Sequence, residues 1–162
     1  MKILVVYYSE TGNTEKIAFA IYDAIRADKE IIKVQDLDHA EGYDLIFFGF
    51  PVKEHSVPPE AVAGLKKIPE GQKLAFFSTH GSMRGGIKAR QAFEHALGVA
   101  AKAKVLGHFG CQGKVSSSLL ESLQDKVHHK AWADEAASAF GHPDENDIED
   151  AKRFAAEMIS KL

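Results

Sequence analysis

Apolar residues fall in five short runs along the chain, and each run has the length of a β-strand. The first, third and fourth runs are almost continuously apolar, which is typical of strands buried on both faces of a parallel sheet. The second is short and partly alternating, and the fifth is more polar, which suits an edge strand. The runs span residues 3–8, 31–34, 45–50, 74–78 and 104–110.

Between and after these runs, apolar residues recur every three or four positions, which predicts amphipathic helices over residues 14–26, 59–67, 87–97 and 145–160. Strands that alternate with helices form right-handed βαβ units in a parallel sheet. We therefore predict an α/β fold: a doubly wound, five-stranded parallel sheet in the order 2-1-3-4-5, forming a single domain over residues 1–162.

Residues 116–140 interrupt this alternation. Leu119, Leu120 and Leu123 indicate one short helix, and Val127, Trp132, Ala136 and Phe140 indicate another. We interpret the segment as a helical insertion before the last helix.

Three loops are predicted to share one rim of the sheet. In doubly wound sheets, ligands bind beyond the carboxyl ends of the strands, at the point where the strand order reverses. The loops there are residues 9–14 (the first rim loop), 51–58 (the second) and 79–86 (the third). Any ligand site is expected among them.

The first rim loop has the composition of an anion site. It leads from a buried strand into a helix N-terminus, where unpaired N–H groups and the helix dipole favour negative charge. It lacks the lysine of a nucleotide triphosphatase loop and the three glycines of a dinucleotide fingerprint, and therefore suits a single terminal phosphate. The alternative is an ordinary well-capped helix. The loop residues are Ser9, Glu10, Thr11, Gly12, Asn13 and Thr14.

Composition narrows the functional classes. The net charge of −3 is too small to indicate a nucleic acid or an anionic membrane as partner. No apolar stretch reaches the length of a membrane span, no signal peptide is evident, and the single Cys111 fits a reducing compartment. We expect a cytoplasmic protein. The adjacent His128 and His129 would point in different directions on a helix, and no metal-ligand spacing occurs, so no metal site is predicted.

The stretch Tyr8-Ser9-Glu10-Thr11-Gly12-Asn13-Thr14 resembles the phosphate-binding loop of the flavodoxin family, and the likeness extends over nearly the whole chain. The resemblance implies FMN as cofactor, with its phosphate on the first rim loop and its isoalloxazine ring between the other two. The implied phosphate contacts are Ser9, Glu10, Thr11, Gly12, Asn13 and Thr14. The implied ring contacts are Pro51, Val52, Lys53, His55, Thr79, His80, Gly81, Ser82, Met83, Arg84 and Gly85.

The ring loops also depart from the family pattern. The second rim loop has no glycine, and neither ring loop has a tryptophan or tyrosine to stack on the ring. Met83 is a candidate apolar contact to the ring. Arg84 is either a solvated loop charge or a cation that would raise the reduction potential of the flavin.

Three functions follow from the resemblance. The first is an FMN-binding electron carrier between partner proteins, with no catalytic residues of its own. The second is an FMN-dependent reductase of a small organic acceptor such as a quinone, with His55, His80 and Arg84 as candidate groups to donate protons or hold the acceptor. The third is a flavin sensor or partner-binding module without enzymatic activity.

Overall fold

The polypeptide folds as alternating strands and helices in the computed structural model, which describes residues 1–124 and 130–162. Val127, His128 and His129 lie outside the described residues. The strands are β1 Lys2–Tyr7, β2 Asp28–Lys33, β3 Leu45–Pro51, β4 Lys73–His80 and β5 Lys104–Gln112. The helices are α1 Asn13–Ala24, α2 Pro59–Leu65, α3 Ile87–Val99, α4 Ser117–Gln124, α5 Lys130–Ala137 and α6 Glu145–Ile159.

The sheet has the predicted topology. All neighbouring strands pair in parallel, and the order is β2-β1-β3-β4-β5. The chain thus reverses its direction of growth between β1 and β3. This confirms the predicted order and puts the carboxyl ends of β1, β3 and β4 side by side.

Alternate residues of β1 are buried in two separate cores. Ile3 and Val5 face the layer formed by α1 and α6, whereas Leu4 and Val6 face the layer formed by α2 and α3. All four side chains are fully buried. Both faces of the strand therefore need apolar residues, which explains the continuous apolar run in the sequence.

The helical segment between β5 and α6 packs against the third rim loop. Helix α5 brings Trp132, which is half-buried, beside Gly81, where an added Cβ would lie 3.3 Å from the indole. The Lys88 ammonium lies 4.7 Å from the centre of the Trp132 ring. The sequence placed helices in this segment, and the structure adds their contact with the rim.

Helix α6 begins with a reciprocal cap. The Asp144 carboxylate accepts from the Asp147 N–H at 3.0 Å, and the Asp147 carboxylate accepts from the Asp144 N–H at 2.9 Å. Such a capping box satisfies two N–H groups at the helix start. Among the described residues, no helix combines the length and apolar character needed to cross a membrane.

A methyl group at Gly49 is expected to destabilise the sheet. The Cβ of alanine at this β3 position would overlap the fully buried ring of Phe77. We expect Gly49→Ala to lower the free energy of unfolding by about 2–3 kcal/mol, because a rigid ring in a packed core must shift. Urea denaturation measures the change.

Two comparison substitutions distinguish the cost of overlap with a neighbouring side chain from the effect of replacing a glycine as such. At Gly107 the nearest atom to an added Cβ is Met158 Sδ at 2.6 Å, so Gly107→Ala should cost less because a methionine side chain can move. At Gly98 in α3 an added Cβ meets nothing within 4 Å, so Gly98→Ala should not destabilise. Equal losses at Gly49 and Gly98 would contradict the overlap with Phe77.

Candidate functional site

The three rim loops are joined to one another by hydrogen bonds and an ion pair. Thr14 Oγ1 and Thr79 Oγ1 are 2.8 Å apart in a buried contact between α1 and the end of β4. The Val52 N–H donates to the Thr79 carbonyl at 2.8 Å. Lys53 pairs with Glu10 and so links the second rim loop to the first. The sequence-predicted segments thus form one connected surface at the carboxyl edge of the sheet.

Helix α1 starts in the first rim loop without a side-chain cap. Gly12 precedes the helix with a φ of 91°, a left-handed conformation that favours glycine. The Gly12 N–H donates to Ser9 Oγ at 3.2 Å, but no side chain caps the first turn. The Asn13 amide instead donates to the Lys114 carbonyl at 2.9 Å. In contrast to α6, the start of α1 keeps its N–H groups available to an anion.

The Glu10 carboxylate is held toward the second rim loop. The Tyr8 hydroxyl donates to Glu10 Oε1 at 2.8 Å, and the Lys53 ammonium contacts the same oxygen. Lys53 lowers the pKa of Glu10 below its usual value. The carboxylate is therefore ionised at neutral pH and neutralised by Lys53, so it does not place an unpaired negative charge in the first rim loop.

The second rim loop is a closed hairpin turn. Lys53 and Ser56 exchange two backbone hydrogen bonds, at 3.0 and 2.7 Å. The two residues between them, Glu54 and His55, have φ values of 45° and 70°. Positive φ at both central positions is a property of type I′ turns, which usually contain asparagine and glycine. The loop thus adopts left-handed geometry without a glycine, which the sequence pattern did not indicate.

The two ring-loop histidines occupy different environments. His55 is exposed, and its Nδ1 lies 2.8 Å from Gln91 Oε1. His80 is only 5% exposed, and its Nδ1 donates to the Ser82 carbonyl at 2.7 Å. Its side chain is therefore buried behind the rim, and of the two only His55 has an exposed ring.

The third rim loop is fixed from behind by α5. The Met83 N–H donates to Glu135 Oε1 at 2.6 Å, while the Met83 side chain is 61% exposed. The Gln112 amide at the end of β5 donates to Ser138 Oγ at 2.9 Å, which holds the end of α5 to the sheet. The predicted contact residue Met83 therefore presents its thioether to solvent from an anchored backbone.

Arg84 forms ion pairs with α6. Its guanidinium donates to Asp147 at 2.9 Å and to Asp150 at 2.8 Å, and it lies 5.2 Å from the centre of the Phe109 ring. The guanidinium lowers the pKa of Asp150. Two carboxylates thus balance the positive charge of Arg84, for which the sequence left two interpretations: a solvated loop charge or a cation near the flavin ring.

Sequence reasoning missed a cluster of His142, Asp144 and Asp147, whose ligand-type atoms lie within 4.8 Å of one another. His142 Nδ1 is 2.5 Å from Asp147 Oδ2, and Asp147 also accepts from Arg84. The spacing Asp144-x-x-Asp147 was the available signal, since it is the spacing of a capping box. Asp144 and Asp147 cap α6, and Asp147 also holds His142 and Arg84.

Cys111 is a structural residue of β5. Its side chain is fully buried, and burial raises the pKa of the thiol to about 12. It therefore stays a protonated thiol at neutral pH, when thiolate would be needed for reactivity.

The fold and the uncapped first rim loop define a flavodoxin-like protein. The family model described as flavodoxin domain matches residues 4–156, and the chain belongs to this family. It is 34% identical over 173 residues to the flavodoxin-like domain-containing protein BilS of Clostridioides difficile (strain CD3), covering 99% of this chain and 98% of that protein.

Solved structures share the fold. Oxidised Flavodoxin 2 from Bacillus cereus superposes with a TM-score of 0.66 at 23% identity, covering 100% of both chains. A flavoprotein from Lactobacillus acidophilus NCFM, solved in complex with FMN, gives a TM-score of 0.54 at 22% identity, covering 67% of this chain and 92% of that one. At these identities the likeness shows the fold alone.

The stability of the protein is expected to fall in acid through His108. Burial lowers the pKa of His108 from its usual 6.5 to about 4. Between these values the unfolded chain binds a proton that the folded chain does not, so folding weakens as the pH falls. We expect this residue to remove up to roughly 3 kcal/mol from the free energy of unfolding between pH 7 and pH 4.

Urea denaturation across this pH range measures the effect, and His108→Gln should show a shallower dependence. The control is a direct NMR titration of the imidazole. A His108 ring that titrates near pH 6.5 in the folded protein would contradict the prediction.

Proposed function

We propose that this chain binds FMN at the three rim loops and carries electrons between partner proteins. The observation that supports this most is the start of α1, which follows a buried central strand, lacks a side-chain cap and lies beside two further loops. Bound FMN supplies one- and two-electron redox chemistry. The residues of this chain supply the binding surface and its charge.

The first rim loop fits a phosphate monoester. Gly12 has the left-handed backbone that lets a ligand approach, and an added Cβ there would meet nothing within 4 Å. The N–H groups at the start of α1 and the hydroxyls of Ser9 and Thr11 would donate to phosphate oxygens. The pairing of Glu10 with Lys53 neutralises the carboxylate of the first rim loop itself.

The second and third rim loops would hold the isoalloxazine ring. The second offers Pro51, Val52, Lys53 and His55, and the third offers the backbone of residues 79–85 and the Met83 thioether. The hairpin of the second loop and the anchoring of Met83 by Glu135 keep both loops in place without a ligand. A preorganised site lowers the entropic cost of binding a cofactor.

The surface beside the third rim loop suits a transient partner. Met83 is 61% and Ile87 is 65% exposed, so one large apolar side chain in the third rim loop and one just after it face solvent. Small exposed apolar areas beside a polar surround are typical of weak, short-lived protein contacts. This favours electron transfer to a protein.

The second candidate is an FMN-dependent reductase of a small acceptor such as a quinone. The geometry of the second rim loop favours this candidate. The loop is a closed hairpin without glycine, so none of its peptide groups can easily change orientation when the cofactor is reduced. The two candidates differ in whether the bound cofactor takes up electrons in two single steps, as in a carrier, or in one two-electron step, as in a reductase.

A carboxylate in the first rim loop is expected to weaken FMN binding. In Thr11→Asp the new charge would oppose the phosphate at an exposed position, and we expect the dissociation constant to rise about tenfold or more. Fluorescence titration of FMN measures the change.

Riboflavin, which lacks the phosphate, is the control ligand, and its affinity should stay unchanged in Thr11→Asp. Ala101→Asp adds the same charge at an exposed position in the α3–β5 connection and should bind FMN normally. An unchanged FMN affinity in Thr11→Asp would mean that the phosphate binds elsewhere.

Anaerobic potentiometric titration of the FMN-loaded protein should distinguish carrier from reductase. A carrier is expected to show two well-separated one-electron steps and negligible turnover of quinones with reduced nicotinamide. A single two-electron step together with quinone turnover would contradict the carrier and support the reductase.

A further inference from the structure

A cavity lies behind the third rim loop, between α3 and β5. It has a volume of about 390 Å³ and is lined by His80, Arg90, Phe93, His108, Phe109 and Gly110, with parts of the third rim loop. No residue of the first or second rim loop lines it. The cavity therefore adjoins the surface proposed for FMN and shares His80, Arg84 and Gly85 with it.

His80 offers a hydrogen-bond acceptor to this cavity. Its Nδ1 must carry the proton, because the Ser82 carbonyl 2.7 Å away can only accept. Burial lowers the pKa of His80, so the ring is neutral at pH 7 and Nε2 bears a lone pair. Within residues 1–124 and 130–162, Nε2 has no hydrogen-bond partner, and it is reached by solvent, because no buried side-chain nitrogen or oxygen in this part of the chain lacks a partner.

Gly110 leaves open the space in front of this nitrogen. A Cβ at Gly110 would lie 3.2 Å from His80 Nε2 and 3.5 Å from Ser78 Oγ. The backbone of Gly110 is not left-handed, so the conformation alone does not require glycine. The missing side chain creates a recess with polar atoms at its base.

The rest of the cavity is apolar with a cation at its edge. Phe93 stacks on His108 with ring centres 4.3 Å apart, and Phe109 and Ala89 complete the apolar walls. Arg84 is neutralised by Asp147 and Asp150, but the exposed Arg90 guanidinium has no carboxylate partner among the described residues. The lining therefore combines the His80 acceptor, an apolar middle and the positive charge of Arg90.

We propose that this cavity binds a small aromatic acid that carries a hydroxyl group. The hydroxyl donates to His80 Nε2 in the recess at Gly110, the aromatic ring packs against Phe93 and Phe109, and the carboxylate pairs with Arg90. The ligand needs a hydrogen-bond donor at one end, because Nε2 of the neutral His80 can only accept a hydrogen bond there. The negative charge at the other end complements Arg90.

Calorimetric titration with 4-hydroxybenzoate, using benzoate as the comparison ligand, tests this site in the FMN-saturated protein and in the protein as purified. We expect saturable 1:1 binding, with 4-hydroxybenzoate about tenfold tighter than benzoate because only it can donate to His80. Binding to the protein as purified tests the cavity by itself, and weaker binding after FMN saturation would reflect the lining residues that the two sites share, His80, Arg84 and Gly85.

Three variants test the assigned contacts. Gly110→Ala fills the recess, and His80→Asn keeps a donor for the Ser82 carbonyl while removing the Nε2 acceptor; each should weaken 4-hydroxybenzoate about tenfold. Arg90→Gln should weaken both ligands. Gly98→Ala, where an added Cβ meets nothing within 4 Å, is the matched control and should bind normally.

Circular dichroism verifies that each variant is folded. If a substitution at a buried position prevents folding, the exposed Arg90→Gln still tests the proposal. Absence of saturable binding in the native protein would overturn the proposal. Equal affinity for the two ligands, or unchanged 4-hydroxybenzoate affinity in Gly110→Ala, would also overturn it.

Discussion

Burial of the central strands on both faces is the constraint from which the rest of the structure follows. Because Ile3 and Leu4 must each be covered by a helix layer, β1 needs helices on both sides of the sheet. Right-handed crossovers then allow the chain to reach both faces only by reversing its growth beside β1. That reversal brings the ends of β1, β3 and β4 together, so the position of the candidate site is a consequence of how the core is covered.

The fold was predictable because its signals are local and repeated. Five apolar runs and the helices between them indicated a doubly wound parallel sheet, for which 2-1-3-4-5 is a common strand order. Element ends differed from the structure by only a few residues. The contacts at the rim were less accessible to sequence reasoning. The buried bond between Thr14 and Thr79 joins residues 65 positions apart. The ion pairs of Arg84 with α6 depend on a long-range approach that no local pattern encodes.

Backbone geometry explains another part of what the sequence did not reveal. Glu54 and His55 are not residues that usually mark a left-handed turn, yet the hairpin closed by Lys53 and Ser56 holds both at positive φ. Left-handed backbone in such residues costs roughly 1–2 kcal/mol each, so neighbouring contacts must stabilise it. Ion pairing of Lys53 with Glu10 and the contact of His55 with Gln91 are two such interactions.

Two of the helix starts at the carboxyl edge, those of α6 and α1, differ in how their N–H groups are satisfied. At α6, Asp144 and Asp147 satisfy the N–H groups internally, and the Asp147 carboxylate also holds His142 and Arg84. At α1, Asn13 turns its amide to Lys114 and the helix start is left without a cap. With Gly12 as the N-cap residue, the missing side-chain cap costs only a few tenths of a kcal/mol of stability. A ligand that supplies the missing acceptors recovers that cost, so the loss of a cap at α1 favours binding of an anion there over stability of the free protein.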